Sequence, residues 1–353
     1  MRLARSALAV TAMTALFLLR PVAASDILPT ATPVTDDAGS VQWPTVIGPT
    51  VARSSLEDGF ACHREPGIIA YVDWINWKLR DPGMEFANSW AGDTIDDVPT
   101  SMDTQYVGVP RNSGIRVGLG YRFCSEWEIM WNYTYFHAAG EASAISVPGI
   151  QVVTPGSTDE NFAVAAAFAA SSFNINVHDF EIGRWVNLCD RIDLRLFGGF
   201  RWARTESDFN VSYSDVGGVS GNNAIAGAKS QMDAYGIRLG GEYRWKLGDT
   251  HLSFFGRGAG SVLAGDFLTS ITTSDLAGDD DVVIKVRRDV HVVPVLEAAA
   301  GVAWEYSCWE LSIGYELAAW FNQSPNCGIF YGNPNSYGDI LLDGLLTRVS
   351  YKY

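Results

Sequence analysis

From residue 114 onward the chain alternates apolar and polar positions with a period of two. Ile115, Val117, Leu119, Tyr121 and Phe123 share one face, against Gly114, Arg116, Gly118, Gly120 and Arg122 on the other. After a connection of a few residues the pattern returns, with Trp127, Ile129, Trp131, Tyr133 and Tyr135 opposite Glu128, Met130, Asn132 and Thr134. Such alternation predicts β-strands with one wholly apolar face, which fits a half-buried soluble sheet or a strand facing lipid. Recurrence along the chain separates the two.

The pattern does recur. Residues 68–79 predict a first strand whose two faces are both mixed, which leaves its orientation open. In 176–186 Asp179, Glu181 and Gly183 oppose Phe180 and Ile182, and in 192–203 Leu194, Leu196, Phe200 and Trp202 oppose Arg195, Gly199 and Arg201. The sharpest alternation sets Tyr235, Ile237, Leu239, Tyr243 and Trp245 against Gly236, Arg238, Gly240, Glu242 and Arg244. Further strands are predicted at 252–263 (Ser253, Phe255 and Arg257 on one face), 290–306 (Glu297, Gly301 and Glu305), 309–321 (Glu310, Ser312, Gly314 and Glu316) and at the carboxyl end. There Thr347, Val349, Tyr351 and Tyr353 share a face that excludes Arg348.

About ten strands result, and their connections alternate between long and short. The long ones are expected at 80–111, 138–173 and 205–229, in the acidic stretch containing Asp279, Asp280 and Asp281, and around Pro325 and Pro334; Gly248 marks a tight hairpin among the short ones. A soluble sandwich has no reason to sort its loops in this way. A transmembrane antiparallel up-and-down β-barrel does, with long outer loops, short periplasmic turns and an even strand count that returns both termini to one side. Closure also removes the sheet edges that lipid could not satisfy. Within 138–173 the alanine-rich piece 162–170 is expected either as a short helix packed on its loop or as a constriction folded into the barrel mouth.

Composition agrees with this architecture. No run of about 20 apolar residues follows the amino-terminal segment, yet 47% of the chain is hydrophobic, with 12 Trp, 14 Tyr, 17 Phe and 35 Gly. The amino terminus carries Arg2, Arg5, an apolar run over 7–19 and small residues up to Ala24, which predicts a signal peptide over 1–24. Its removal would shift the formal charge from −15 to −18, and so acidic a protein is a poor partner for nucleic acid. The proline-rich stretch 25–66 predicts an irregular periplasmic lead-in, which leaves 67–353 for the barrel.

The two faces carry different chemistry. Phe123, Trp127, Trp245, Trp304, Tyr306, Trp309, Tyr351 and Tyr353 gather near the short turns on the apolar face, as an interfacial girdle would. The aromatic carboxyl-terminal strand also resembles the signal read by outer-membrane assembly machinery. Arg116, Arg122, Glu128, Asp179, Glu181, Arg195, Arg201, Arg238, Glu242, Arg244, Arg257, Glu297, Glu305, Glu310, Glu316 and Arg348 face inward, separated by glycines that leave room for long side chains. They predict either a lumen filled by ion pairs or a narrow polar pathway whose mixed charges set selectivity.

Cys62, Cys124, Cys189 and Cys308 all fall at the short-turn rim, where disulfides within or between chains are expected, and Cys327 is left over in an outer loop. The five histidines lack zinc-type spacing, and neither metal nor cofactor is expected. His137, His178 and Asp179 could meet near the outer mouth, but no nucleophile motif accompanies them, so no catalysis is expected.

The segments 178–183 (His-Asp-Phe-Glu-Ile-Gly), 194–201 (Leu-Arg-Leu-Phe-Gly-Gly-Phe-Arg) and 235–240 (Tyr-Gly-Ile-Arg-Leu-Gly), with Gly314-Tyr315-Glu316 and the last strand, resemble the Legionella-type pore-forming major outer membrane proteins. The resemblance spans most of 68–353 and implies a channel-forming barrel in the outer membrane of a diderm bacterium, embedded in its lipids, with homo-oligomerisation open. The expected function is a passive pore for small hydrophilic solutes or ions, with a mild cation preference from the acidic loops. The alternative is a structural or adhesive barrel with a closed, salt-bridged lumen and ligand-binding loops.

Overall fold

A computed structural model describes residues 66–81, 83–91, 103–123, 126–147, 150–153, 163–248, 250–274, 281–324 and 338–353. Its frame is a closed antiparallel barrel of ten strands: β1 (Gly67–Arg80), β4 (Arg111–Arg122), β5 (Trp127–Ile145), β8 (Ala166–Cys189), β9 (Ile192–Ser214), β10 (Ala224–Lys246), β11 (Leu252–Ser274), β12 (Asp281–Tyr306), β13 (Trp309–Ser324) and β14 (Gly338–Lys352). Each pairs with the next, and β1 closes the ring by pairing with β4 on one side and β14 on the other, with Ile69 opposite both Gly120 and Lys352. Among the described residues no helix is long and apolar enough to cross a membrane.

Four short strands, β2 (Glu85–Ala91), β3 (Asp103–Tyr106), β6 (Ile150–Val153) and β7 (Ala163–Val164), form a second antiparallel sheet in the order β3-β2-β6-β7. They come from the connections after β1 and after β5.

The strands are longer than their alternation predicts. A tilted strand needs about 9–11 residues to cross a membrane, but β8 has 24, β9 has 23 and β12 has 26. By contrast β1 has 14, β4 has 12 and β14 has 15. The wall is therefore tall over β8–β12 and low over β14, β1 and β4. Much of the expected loops 138–173 and 205–229 is wall, and the connection between β9 and β10 shrinks to residues 215–223 with one 3-10 turn, Val216–Gly218. The alanine-rich piece is not a helix. Residues 163–164 are β7 and residues 166–170 open β8, with Ala167 and Ala169 buried against the interior; Phe162 lies outside the described residues.

The side-chain pattern inverts along the tall strands. Near the short turns β9 puts Leu196, Phe200 and Trp202 outside and Arg195 and Arg201 inside. From Ala203 onward Ala203, Phe209, Val211 and Tyr213 turn inward while Arg204, Asp208, Asn210 and Ser212 face out. β10 repeats this: Tyr235, Ile237 and Leu239 are exposed outside the lower wall, whereas Ala226, Ala228, Met232 and Ala234 are buried inside the upper one. Lipid bathes the lower wall and water the upper, so each stretch turns its apolar face to whichever side lacks water.

Gly248, at φ +59°, supplies the left-handed residue of the β10–β11 turn. Gly118 serves close approach instead, since a Cβ there would sit 2.1 Å from the Tyr71 ring.

Candidate functional site

Inside the lower wall every sequence-predicted lumen residue faces inward, and together they form three neighbouring groups of ion pairs, gathered around Asp73, around Glu181 and around Arg244. Arg116 pairs with Glu316 at 3.1 Å and Asp73 at 3.4 Å, and Arg348 gives two hydrogen bonds to Asp73 at 2.7 and 2.9 Å. Arg122 pairs with Glu128 at 3.1 Å; Arg195 joins Glu128 to Glu181, the latter at 3.3 Å. Arg201 gives two hydrogen bonds to Asp179 at 2.6 and 2.8 Å and reaches Glu297 at 2.9 Å. Arg238 donates to Glu181 at 3.1 Å and pairs with Glu297. Near the short turns Arg244 meets Glu242, Glu305 and Glu310 at 2.6–2.8 Å, and Lys352 also holds Glu310. Arg257 is the loosest member, 3.8 Å from Glu181.

Register explains the pairing. Asp179 and Arg201 are Cα partners across β8 and β9, as are Glu128 and Arg122 across β4 and β5. Glycines keep the guanidiniums flat against the wall: the Arg195 side chain lies 3.0 Å from where a Cβ of Gly183 would be. Phe197 provides a platform for Arg195, Arg238 and Arg257, whose guanidinium carbons lie 4.8–5.8 Å from its centroid.

Two members were not identified from the pattern. Asp73 is fully buried, and Tyr71 donates its hydroxyl to Asn132 at 2.6 Å while Arg348 stacks on its ring at 3.9 Å. Both stand on the odd face of β1, and the signal for them was the paired polar residues Tyr71 and Asp73 on that face.

Toward the far end the ion pairs give way to an apolar layer. Ile75, Trp77, Phe136, Phe173, Ile175, Phe209, Leu263 and Phe267 are buried in it, and so are Met84, Phe86 and Val152 from the second sheet and the segment leading into it. Tyr213 donates its hydroxyl to the Phe86 carbonyl at 2.8 Å, tying that sheet to the tall wall. Partly buried Asp81, at the edge of this layer, accepts the Gly83 N–H at 2.8 Å; burial pushes its carboxyl up to about 6, against the opposing pull of that hydrogen bond. At the short-turn end a cavity of about 60 Å³ lies among Arg122, Arg195, Glu242, Arg257, Arg348 and Lys352.

The outward face also matches its expectation. Phe123, Trp127, Trp245, Trp304, Tyr306, Trp309 and Tyr353 are exposed at the short-turn end. His178 faces outward too, stacked between Trp131 and Trp202, whereas Asp179 is buried inside and His137 binds Asn174 on the outer surface. His137, His178 and Asp179 therefore do not converge. Among the described residues no cluster of metal-binding type occurs. Cys189 and Cys308 are both free and belong to different short turns, so the two are not bonded to each other; Cys62, Cys124 and Cys327 lie outside the described residues.

The model for the Legionella pneumophila major outer membrane protein precursor matches residues 81–353. The chain belongs to this family. It is an outer-membrane β-barrel protein, and the membrane lipids surround its apolar band. Proteins with curated functions give no match. Among solved structures, the outer membrane protease OmpT from Escherichia coli is similar at 10% identity, covering 81% of this chain and 97% of that one with a TM-score of 0.40. The translocator domain of the autotransporter NalP from Neisseria meningitidis shares 11% identity over 81% and 89% of the two chains, with a TM-score of 0.35. Neisserial surface protein A shares 10% over 82% and 99%, with a TM-score of 0.28.

Proposed function

We propose that this family member acts as an outer-membrane barrel with a closed lumen, a structural component of the envelope that holds its outer connections above the membrane on a raised wall. The observation that carries this reading is the succession of two filled layers across the barrel: the arginine–carboxylate pairs of Arg116, Arg201 and Arg238, and above them the apolar layer of Trp77, Phe136 and Phe209. A small barrel whose interior side chains meet across the axis leaves no standing water path. The reading involves no catalytic step and no cofactor. It includes a chain cleaved after Ala24, a periplasmic segment over 25–66, and insertion by the assembly machinery through the aromatic last strand.

A passive pore for small hydrophilic solutes or ions is the second reading. It is favoured by the polar lower wall and by the cavity at the short-turn end, where Glu181 already faces Arg195, Arg238 and Arg257 and could exchange one for another. Conduction by this route requires the apolar layer to part. Liposome swelling separates the two: closed vesicles that carry the refolded protein yet shrink and stay shrunken in arabinose support the structural barrel, and swelling at a rate proportional to protein content supports the pore.

A further inference from the structure

Where β1, β4 and β14 make the wall low, its lipid-facing side carries a group of cations that the lumen does not use. Asp343 points outward from β14, and its side chain is only 5% exposed because Arg80 and Arg111 close over it from β1 and β4. Arg80 donates to one carboxylate oxygen at 2.5 Å, and the Tyr315 hydroxyl donates to the other. Arg111 lies 3.8 Å from the carboxylate and donates to the Asp343 and Asn76 carbonyls at 3.3 and 3.4 Å. Lys78 stands on the same outward face and is the Cα partner of both Asp343 and Arg111. One carboxylate thus gathers two guanidiniums, 54% and 43% exposed, with Lys78 the neighbouring cation on the same face.

The level of this group in the membrane gives it a meaning. Trp74, whose indole donates to Ser113 at 3.2 Å, lies on the same face two positions below Asn76 and marks the end of the apolar band on β1 and β4. Lys78, Arg80 and Arg111 stand just beyond it, at the depth where lipid headgroups begin. On the opposite side of the ring, across five strands, the outward Asp233 and Asp266 of β10 and β11 each stand beside an arginine, Arg204 as the Cα partner of Asp233 and Arg287 paired with Asp266 at 3.1 Å, so that flank is balanced in charge. Charge of either sign would suit water, whereas a localised excess of cations on one flank suits an anionic headgroup, and exposed guanidinium forks fit phosphate.

We propose that Arg80, Arg111 and Lys78, held around Asp343, form a site on the outside of the barrel for the phosphate group of an outer-leaflet lipid. The test uses the full refolded chain in a maltoside detergent, with dioleoyl phosphatidic acid as the phosphate-bearing probe and dioleoylglycerol as its phosphate-free counterpart, read by native mass spectrometry. The wild-type protein is expected to retain the first and not the second, and the R80Q/R111Q variant to lose at least about tenfold in affinity, as befits the loss of charge-assisted hydrogen bonds. Heat-dependent gel migration checks that the variant folds. Lys78→Gln, whose side chain makes no hydrogen bond needed by the wall, is the second variant and is expected to weaken retention as well, while Asp233→Asn on the far flank leaves it unchanged. Equal retention of both probes, or equal affinity in wild type, K78Q and R80Q/R111Q, overturns the site. Full displacement by equimolar inorganic phosphate overturns the lipid as its occupant.

Discussion

Replacing Arg201 by methionine asks whether the charged layer is dry. Arg201 is 2% exposed, supplies both N–H donors that Asp179 receives at 2.6 and 2.8 Å, and reaches Glu297 at 2.9 Å. Methionine keeps much of the volume and none of the charge. Glu297 retains Arg238, but Asp179 keeps only that same guanidinium at 3.9 Å. The lost hydrogen bonds are worth about 1.5–3 kcal/mol each, relaxation recovers part, and breaking one side of a buried pair costs about 3–5 kcal/mol. Adding Asp179→Leu removes the orphaned charge, so the double variant is expected within about 1–2 kcal/mol of wild type. Urea unfolding of the protein in detergent micelles, followed by tryptophan fluorescence and heat-dependent gel migration, measures both values. A cost below about 1 kcal/mol for the single variant, the size found for exposed pairs, would mean that water already solvates Asp179, and the closed-lumen argument would fail.

Other consequences follow from the inverted wall. Phe209→Ala, in the apolar layer, is expected to destabilise by about 3–5 kcal/mol, whereas Asn210→Ser on the outer face of the same strand stays within about 0.5 kcal/mol; similar values for the two in urea titrations would contradict the assigned faces. Leu239→Arg, near the middle of the lipid-facing band, is expected to cost about 2–4 kcal/mol in bilayer-refolded protein, and tolerance of it would place that face against protein or water. Docking of the segment after β1 is expected to tighten in acid. The Asp81 carboxyl rises from 3.8 to about 6 in the docked state, so its contribution is complete below about pH 4 and is lost as pH rises through 6. Proteolysis within 81–110, expressed as the ratio of wild type to Asp81→Asn at each pH, should rise between pH 5 and pH 7.5; a constant ratio speaks against the docked, protonated carboxyl.

The half of the barrel inside the membrane was legible because its two faces differ most in polarity there. Along 235–245 every second residue is Tyr, Ile, Leu or Trp except Gly241, and the others are Gly, Arg or Glu, so direction and register of exposure follow from composition alone. The raised wall was not legible. Where the pattern inverts, as through Ala203, Arg204, Thr205, Glu206 and Ser207, neighbouring residues contrast weakly, and stretches rich in Ser, Gly and Asn read as loops. The ambiguity of β1 has the same origin: Ile68, Val72 and Trp74 face lipid while Ile75, Trp77 and Leu79 join the apolar layer, so one strand shows apolar residues on both faces. The inward charges could be listed from alternation, but their pairing depends on register, and the group around Asp343 joins residues 80, 111, 315 and 343, which nothing local in the chain connects.

The closed lumen is tested most directly by the current through single refolded proteins in a planar lipid bilayer, with insertion verified independently by heat-dependent migration of the same sample. The two filled layers predict a baseline without stable steps at modest voltage in molar salt. Uniform, long-lived conductance steps from wild-type protein would contradict them.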